Sequence, residues 1–363
     1  MGFFDSSNMA VGIDIGASAV KIVQLKSNPS GQPELVNYGF APLPPEAMSE
    51  GSVSDPSMVA EIIKDLIKNN KIKANRVFAS ISAQQVILRY PKFPVMIAEE
   101  LENSVRIEAE QYVPYSSDEV SITHAVLKTM ESEDSESGGQ FKILLVIAQK
   151  GIVNSYTDAI KMAGAKVEVV DVDIIATINA LENSFMMTAD SQEGGEVLAI
   201  IDTGARTTNI SILKSGVLEF TRNIPVAGNH ITEAIKDALN QEFEQAEATK
   251  ISEGSIDDSA MGNELSDIIR GTVSELTEEI RRSFDFFKAQ SREQMIHRII
   301  LSGGGANLSG FSTFLINELG VDVNLGNPLE GISINVENTD ELYNNLQQFT
   351  VAIGLALRGV TED

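Results

Sequence analysis

Two periodicities run along this chain, and the switches between them mark its elements. Val59, Ile62, Ile63, Leu66 and Ile67 recur at three- and four-residue steps. That spacing predicts a helix over 56–70, with Asp55 as its N-cap and Pro56 at its first position. The same pattern predicts helices over 98–112, 152–162, 174–184, 231–247, 263–290 and 349–357, with Pro114 ending the first of these. Continuous apolar runs predict buried strands over 76–82, 86–90, 141–149, 166–170, 196–202, 208–213 and 299–301. Residues 121–128 alternate, as a half-exposed strand does, and Gly216 begins one further strand. Residues 11–25 are β-rich around a turn at Asp14-Ile15-Gly16. The acidic, Gly/Ser-rich stretch 131–140 is expected to be a solvated hairpin loop. Strands interleaved with helices make this a mixed α/β protein.

An internal echo divides it. Val11-Gly12-Ile13-Asp14-Ile15-Gly16-Ala17 returns as Ile200-Ile201-Asp202-Thr203-Gly204-Ala205, about half a chain later. Each copy puts apolar residues before an Asp, then Gly and Ala, and a β-rich segment follows. A single Asp-x-Gly is an ordinary turn. Two copies suggest a duplicated fold with equivalent hairpins facing one ligand.

The chemistry of these turns suits a phosphate and a magnesium ion. Gly16 and Gly204 let backbone amides converge on an anion. Ser18, Thr207 and Thr208 add hydroxyls, and Lys21 adds a cation. Asp14 and Asp202 supply the one or two carboxylates that Mg²⁺ prefers beside waters and phosphate oxygens. Ser302-Gly303-Gly304-Gly305-Ala306-Asn307 follows a strand. Its glycines permit close approach to a base or to phosphates, although a flexible loop has the same composition. Glu278, Arg281 and Arg282 share a helix and could offer a carboxylate to a ribose and a guanidinium to a base, or form an ordinary helical ion pair.

Composition narrows the partners. Asp and Glu number 52 against 27 Lys and Arg, for a net charge of −25. That excess repels nucleic acid and anionic lipid over most of the surface. Cysteine is absent and there are three histidines, which excludes disulfides, thiol catalysis and sulfur-bound zinc. At 363 residues the chain suits two domains or more. No apolar run is long enough to span a bilayer, which takes about 20 residues.

GIDIGASAVK (12–21), VVDVDIIATINAL (169–181), IIDTGARTTNI (200–210), LSGGGANLSGF (301–311) and VAIGLALRG (351–359), in this order, resemble the superfamily of actin, the heat-shock chaperones and FtsA. They correspond to its phosphate 1, connect 1, phosphate 2, adenosine and connect 2 segments. EAEQYVPYSSDEV (108–120) and ELTEEIRRSFDFFKAQ (275–290), with the glycine run and the terminus AIGLALRG, resemble the PilM family of type IV pilus assembly. The resemblance implies an actin-like ATPase fold of two lobes with duplicated mixed-sheet cores. Subdomain 1A would span 1–90 and 168–195, 1C 91–167, 2A 196–229 and 296–363, and 2B 230–295.

It further implies ATP–Mg in the interlobe cleft. Asp14 and Asp202 would face the magnesium through water, and Gly16, Ser18, Lys21, Gly204, Thr207 and Thr208 would line the phosphates. Gly303, Gly304 and Gly305 would pass the nucleoside, with Glu278 and Arg282 near ribose and base. Asp171 and Asp173 are the weak candidates for activating water, and either could instead cap the following helix. Ala205 and Arg206 stand where actin has an acid and a glycine, which argues against vigorous hydrolysis.

The expected role is therefore an ATP-binding cytoplasmic scaffold at the inner face of the inner membrane. It would be recruited by the cytoplasmic N-terminus of PilN, received in a groove near 1A and 1C. The PilO complex, the motor ATPases and self-association are further candidate contacts. An FtsA-like filament former is the alternative, disfavoured by an acidic end, Thr361-Glu362-Asp363, in place of an amphipathic helix. A small-molecule kinase would need a substrate loop with a distinctive catalytic Asp.

Overall fold

The computed structural model describes residues 8–361 apart from 115, 131–138, 187–194, 292–294 and 338. Most of the acidic loop expected over 131–140 lies outside the described residues.

In chain order, β1 (Met9–Ile15), β2 (Ala19–Ser27) and β3 (Pro33–Pro42) form an antiparallel meander. A small hairpin of β4 (Met48–Ser49) and β5 (Ser52–Val53) leads to α1 (Pro56–Asn69). The Asp55 carboxylate caps α1, accepting the Ser57 and Met58 amides at 3.0 Å each. Val59, Ile63 and Leu66 on one side of α1 enter the first core. Next come β6 (Val77–Ile81), β7 (Val86–Arg89), β8 (Lys92–Pro94), α2 (Ala98–Ala109), β9 (Val120–Met130) and β10 (Gln140–Gln149). α3 (Lys150–Met162), β11 (Val167–Val172) and α4 (Asp173–Met186) close the first half.

The second half opens with another meander, β12 (Val197–Thr203), β13 (Thr208–Lys214) and β14 (Val217–Ile224). α5 (Gly228–Leu239), α6 (Phe243–Glu253) and the long α7 (Glu264–Ser291) follow. β15 (Arg298–Ser302), α8 (Phe311–Leu319), β16 (Asp322–Leu325), β17 (Ser333–Ile334), α9 (Asp340–Asn344) and α10 (Thr350–Thr361) complete the chain.

The echo seen in the sequence is a duplication of sheets. The first sheet runs β11-β6-β1-β2-β3-β17 and the second β14-β13-β12-β15-β16. In each, a three-stranded meander is extended from its first strand by two parallel strands. Its two hairpin turns, 16–18 and 204–207, are therefore topological equivalents.

A third sheet, β7-β10-β8 with β9 on β10, is inserted between the parallel strands of the first. The continuous apolar run of β10 has a physical reason: both its faces are covered. Ile143, Leu145 and Ile147 pack on Leu101, Val105 and Ala109 of α2. Leu144 and Val146 point the other way, against Leu198, Ile200 and Leu213 of the second sheet.

Two expectations differ from the structure. The helix expected over 231–247 is two helices, because Asn240 adopts the left-handed conformation (φ 50°) and ends α5. The segment 296–363, expected with the second unit, divides. β15, α8 and β16 stay there, but β17 pairs with β3, and α10 packs on α4, β1 and β2. The reason is apolarity on most sides of α10, whose residues 350–356 are all buried. The site between α4 and the first sheet covers it.

Candidate functional site

The two equivalent turns close alike. The Gly16 amide donates to Ala19 O at 3.0 Å, and the Gly204 amide donates to Thr207 O at 3.0 Å. Both line one cleft of about 780 Å³, a volume within the range of small-molecule sites. Asp14, Gly16, Ser18 and Lys21 reach it from the first hairpin, and Asp202, Gly204, Arg206 and Thr207 from the second. Asp173, the first residue of α4, and Gly303, Gly304 and Gly305 also line it.

Charge is unevenly balanced there. Lys21 Nζ lies 3.1 Å from Asp14 Oδ2. Burial pushes the Asp202 carboxyl up to about 6, the charge on Asp14 adds to this, and Lys21 opposes it. Burial, then the charge on Asp202, pushes Asp173 up to about 7, although it accepts the Ala83 and Ile174 amides at 2.9 and 2.7 Å. Three carboxylates thus crowd one space with one ammonium among them, an arrangement that a bound cation would relieve. Among the described residues no three acidic or histidine side chains are placed to cage a metal directly. A cation held by water and by a phosphate ligand suits such a set.

The glycine run is shaped by contact with the second hairpin. Gly303 has φ 78°, and a Cβ there would fall 2.4 Å from Thr203 O and 2.5 Å from Asp202 Oδ1. Only glycine allows this loop to lie so near the carboxylate. On the rim, α6 presents Lys250, whose Nζ donates to Gly228 O (3.1 Å), Thr232 Oγ1 (2.8 Å) and Glu247 Oε2 (2.6 Å). The start of α5 is fastened to the second turn, with the Gly228 amide on Gly204 O at 3.1 Å.

Several sequence candidates lie elsewhere. Thr208 is fully buried and donates its hydroxyl to Val226 O at 2.8 Å, so it braces the hairpin from behind. Asp171 is buried against Arg358 and accepts the Val172 amide at 2.7 Å. Glu278 pairs with Arg281, which donates to Glu318 O at 2.8 Å, and Arg282 pairs with Glu279 at 2.9 Å. None of these lines the cleft. The cause is the stripe Ile269, Val273, Leu276, Ile280, Phe284 and Phe287, which turns toward the core and leaves Glu278 and Arg282 outside. Sequence reading passed over Glu247, Lys250, Asn345 and Gln348, which do line it. The i,i+3 pair Glu247–Lys250 was the available signal, and it resembles any solvated helical pair.

The family described as type IV pilus assembly protein PilM matches residues 12–360. The chain belongs to the PilM family. A solved PilM–PilN type IV pilus biogenesis complex superposes with TM-score 0.84 at 32% identity, covering 97% of this chain and 98% of that one. Escherichia coli cell division protein FtsA is 23% identical over 88% of this chain and 84% of its own. MreB5 of Spiroplasma citri bound to ADP has TM-score 0.54 at 13% identity, with 97% and 96% covered. It shares the fold. This PilM-family chain thus has the actin-like ATPase architecture expected from its motifs. No helix among the described residues is long and apolar enough to cross a membrane.

Proposed function

We propose that this PilM-family chain is an ATP–Mg-binding cytoplasmic scaffold of the type IV pilus platform at the inner membrane, recruited by the N-terminal segment of PilN. The observation that carries the nucleotide reading is the pair of duplicated turns lining one cleft, with the buried Asp14 and the half-buried Asp202 at their bases. When bound, magnesium would offset the charge of these carboxylates through its waters while phosphates met the turn amides. Gly16, Ser18, Lys21, Gly204 and Thr207 would line the phosphates, and Gly303 to Gly305 would pass the nucleoside. Glu247, a carboxylate on the rim of α6, suits the paired hydroxyls of a ribose.

Turnover is proposed to be slow or absent. Of the two candidates for activating water, Asp173 alone reaches the cleft. Its Oδ1 already accepts two backbone amides, and Asn209 Nδ2 faces its Oδ2 at 3.4 Å. A value of about 7 would suit a base, so it is geometry that favours slow turnover: both oxygens of Asp173 are already engaged, and Ala205 and Arg206 stand in the second turn.

The likeness to the solved PilM–PilN complex supports the partner. Ile97 and Ile107, exposed at and beside α2, offer apolar surface that an extended peptide could use. Calorimetry with Mg–ATP and a pull-down with the PilN N-terminal peptide, with and without ATP, test the two halves. Binding of both with little hydrolysis is the expected result. Fast multiple turnover by the purified protein would remove the scaffold reading, and failure to retain the peptide would remove the partner.

The FtsA relative favours one alternative, an ATP-dependent filament former. Sedimentation and electron microscopy of the purified chain with ATP distinguish it, since polymer without any partner would reverse the preference.

A further inference from the structure

The duplicated hairpins differ in where each keeps its cation. In the first, Asp14 faces Lys21 across the ladder and the two are ion-paired at 3.1 Å. In the second, the residue facing Asp202 is the neutral Asn209. The second hairpin carries its cation at the turn instead. Arg206 occupies the position that Ser18 holds in the first turn, two residues past the glycine.

Among the described residues, this relocation leaves Arg206 with no ion-paired anion. It lines the cleft, and its Nη1 is buried with no hydrogen-bond partner among the described residues. The other cleft cations are engaged, Lys21 by Asp14 and Lys250 by Glu247. A buried guanidinium nitrogen that lacks an acceptor is costly, and the cost is recovered only when an acceptor enters. Accommodating the long side chain costs the turn no backbone strain. Among the described non-glycine residues, those with positive φ are Glu50, Lys71, Ser215 and Asn240.

We infer that Arg206 is a phosphate-recognition residue, contacting the polyphosphate of the bound nucleotide beyond its first phosphate. The inference rests on the nucleotide reading above and deepens it. Guanidinium forms charge-assisted, often bidentate bonds with phosphate oxygens. Asp202 and Arg206 then play complementary parts, one facing no cation across its ladder and the other with no anion paired to it among the described residues. A magnesium-bound polyphosphate supplies both at once, while a nucleoside monophosphate supplies neither in full. The chain is thereby set to prefer di- and triphosphates.

The test is calorimetric titration of the full chain and of Arg206→Gln and Arg206→Lys with AMP, ADP and ATP in magnesium. Circular dichroism melting is recorded alongside. Arg206→Gln is expected to weaken ADP and ATP by about tenfold or more, the scale of one charge-assisted contact, and AMP by less than about threefold. Arg206→Lys, which keeps the charge and loses the fork, is expected to recover part of the loss. Loss of ATP alone would also support the assignment and place the contact on the terminal phosphate. Equal weakening of all three nucleotides, or weakening of none, would overturn it. Should the unaltered chain bind none of the three, the nucleotide reading itself fails.

Discussion

Gly354 of α10 lies directly against Ala176 of α4, so near that a Cβ at Gly354 would sit 1.8 Å from the Ala176 carbonyl oxygen. The two helices tie the halves of the molecule together. α4 begins beside the first sheet, and its later residues Leu181 and Phe185 pack with Leu198, Ile200 and Ile300 of the second. α10 starts at the glycine run, where Thr350 Oγ1 lies 2.8 Å from Ser302 Oγ, and ends against Ala10 and Phe78 of the first sheet. Replacing Gly354 by Ala should therefore force the crossing apart. Overpacking typically costs about 1–3 kcal/mol, against a helix-propensity gain of up to about 1 kcal/mol for removing glycine. Urea unfolding is expected to show net destabilisation, and an unchanged or higher midpoint would show that the contact is easily relaxed.

Stability should also depend on pH in an unusual direction. Asp173 and Asp202 have folded-state values of about 7 and about 6, above the ordinary 3.8. The folded chain then holds their protons more tightly than the unfolded chain does. The contribution of these groups falls as pH rises from about 4 through about 7. Asp173→Asn keeps a carbonyl to accept the Ala83 and Ile174 amides and removes the charge. In the absence of metal and nucleotide, its melting temperature should exceed that of the parent at pH 8 and approach it at pH 5. Parallel curves at all pH values would show that Asp173 is not the group responsible.

Much of this was legible in the sequence, and the reasons are physical. Strand and helix periods located most of the longer elements, because each buries a defined face, but they missed β3, β8, α8, β16 and the shortest pieces. The repeat around Asp14 and Asp202 foretold the paired hairpins, since both copies keep the same turn chemistry. Position along a helix was the harder matter. Glu278 and Arg282 match a nucleotide-contacting pair in residue type, and only the packed stripe of α7 shows that they face away. Asp171 and Asp173 lie two residues apart, and the register of β11 passing into α4 decides which of them reaches the cleft. The return of α10 to the first sheet was illegible because an all-round apolar helix does not declare which neighbours will cover it.

Asp14 and Asp202 are expected to matter for magnesium nucleotide and little for folding. Asp14→Ala removes the partner of Lys21, while Asp202→Ala removes a carboxylate already held above its ordinary range. Both should weaken Mg–ATP by about tenfold or more in calorimetry, the scale of one charged contact, with folding judged by circular dichroism. Asp202→Ala should in addition be the more stable of the two without ligand at neutral pH, because it relieves repulsion rather than breaking an ion pair. Unchanged affinity in both variants would refute the magnesium clamp.

The rim of the cleft allows a direct contest between two helices. Sequence pattern pointed to Glu278 and Arg282 on α7, whereas the structure brings Glu247 and Lys250 on α6 to the cleft. Glu247→Gln keeps the size of the side chain and most of its hydrogen-bonding reach, but loses the charge that accepts from ribose hydroxyls and holds Lys250. It should weaken ATP and adenosine alike, since ribose is common to both, by about tenfold or more for a lost charged hydrogen bond. The double variant Glu278→Gln/Arg282→Gln alters two exposed pairs worth about 0–1 kcal/mol each, and should leave both affinities unchanged. If the α7 variant lost binding and the α6 variant kept it, the nucleoside would have to lie toward α7. The cleft as described would then be occupied from its other end.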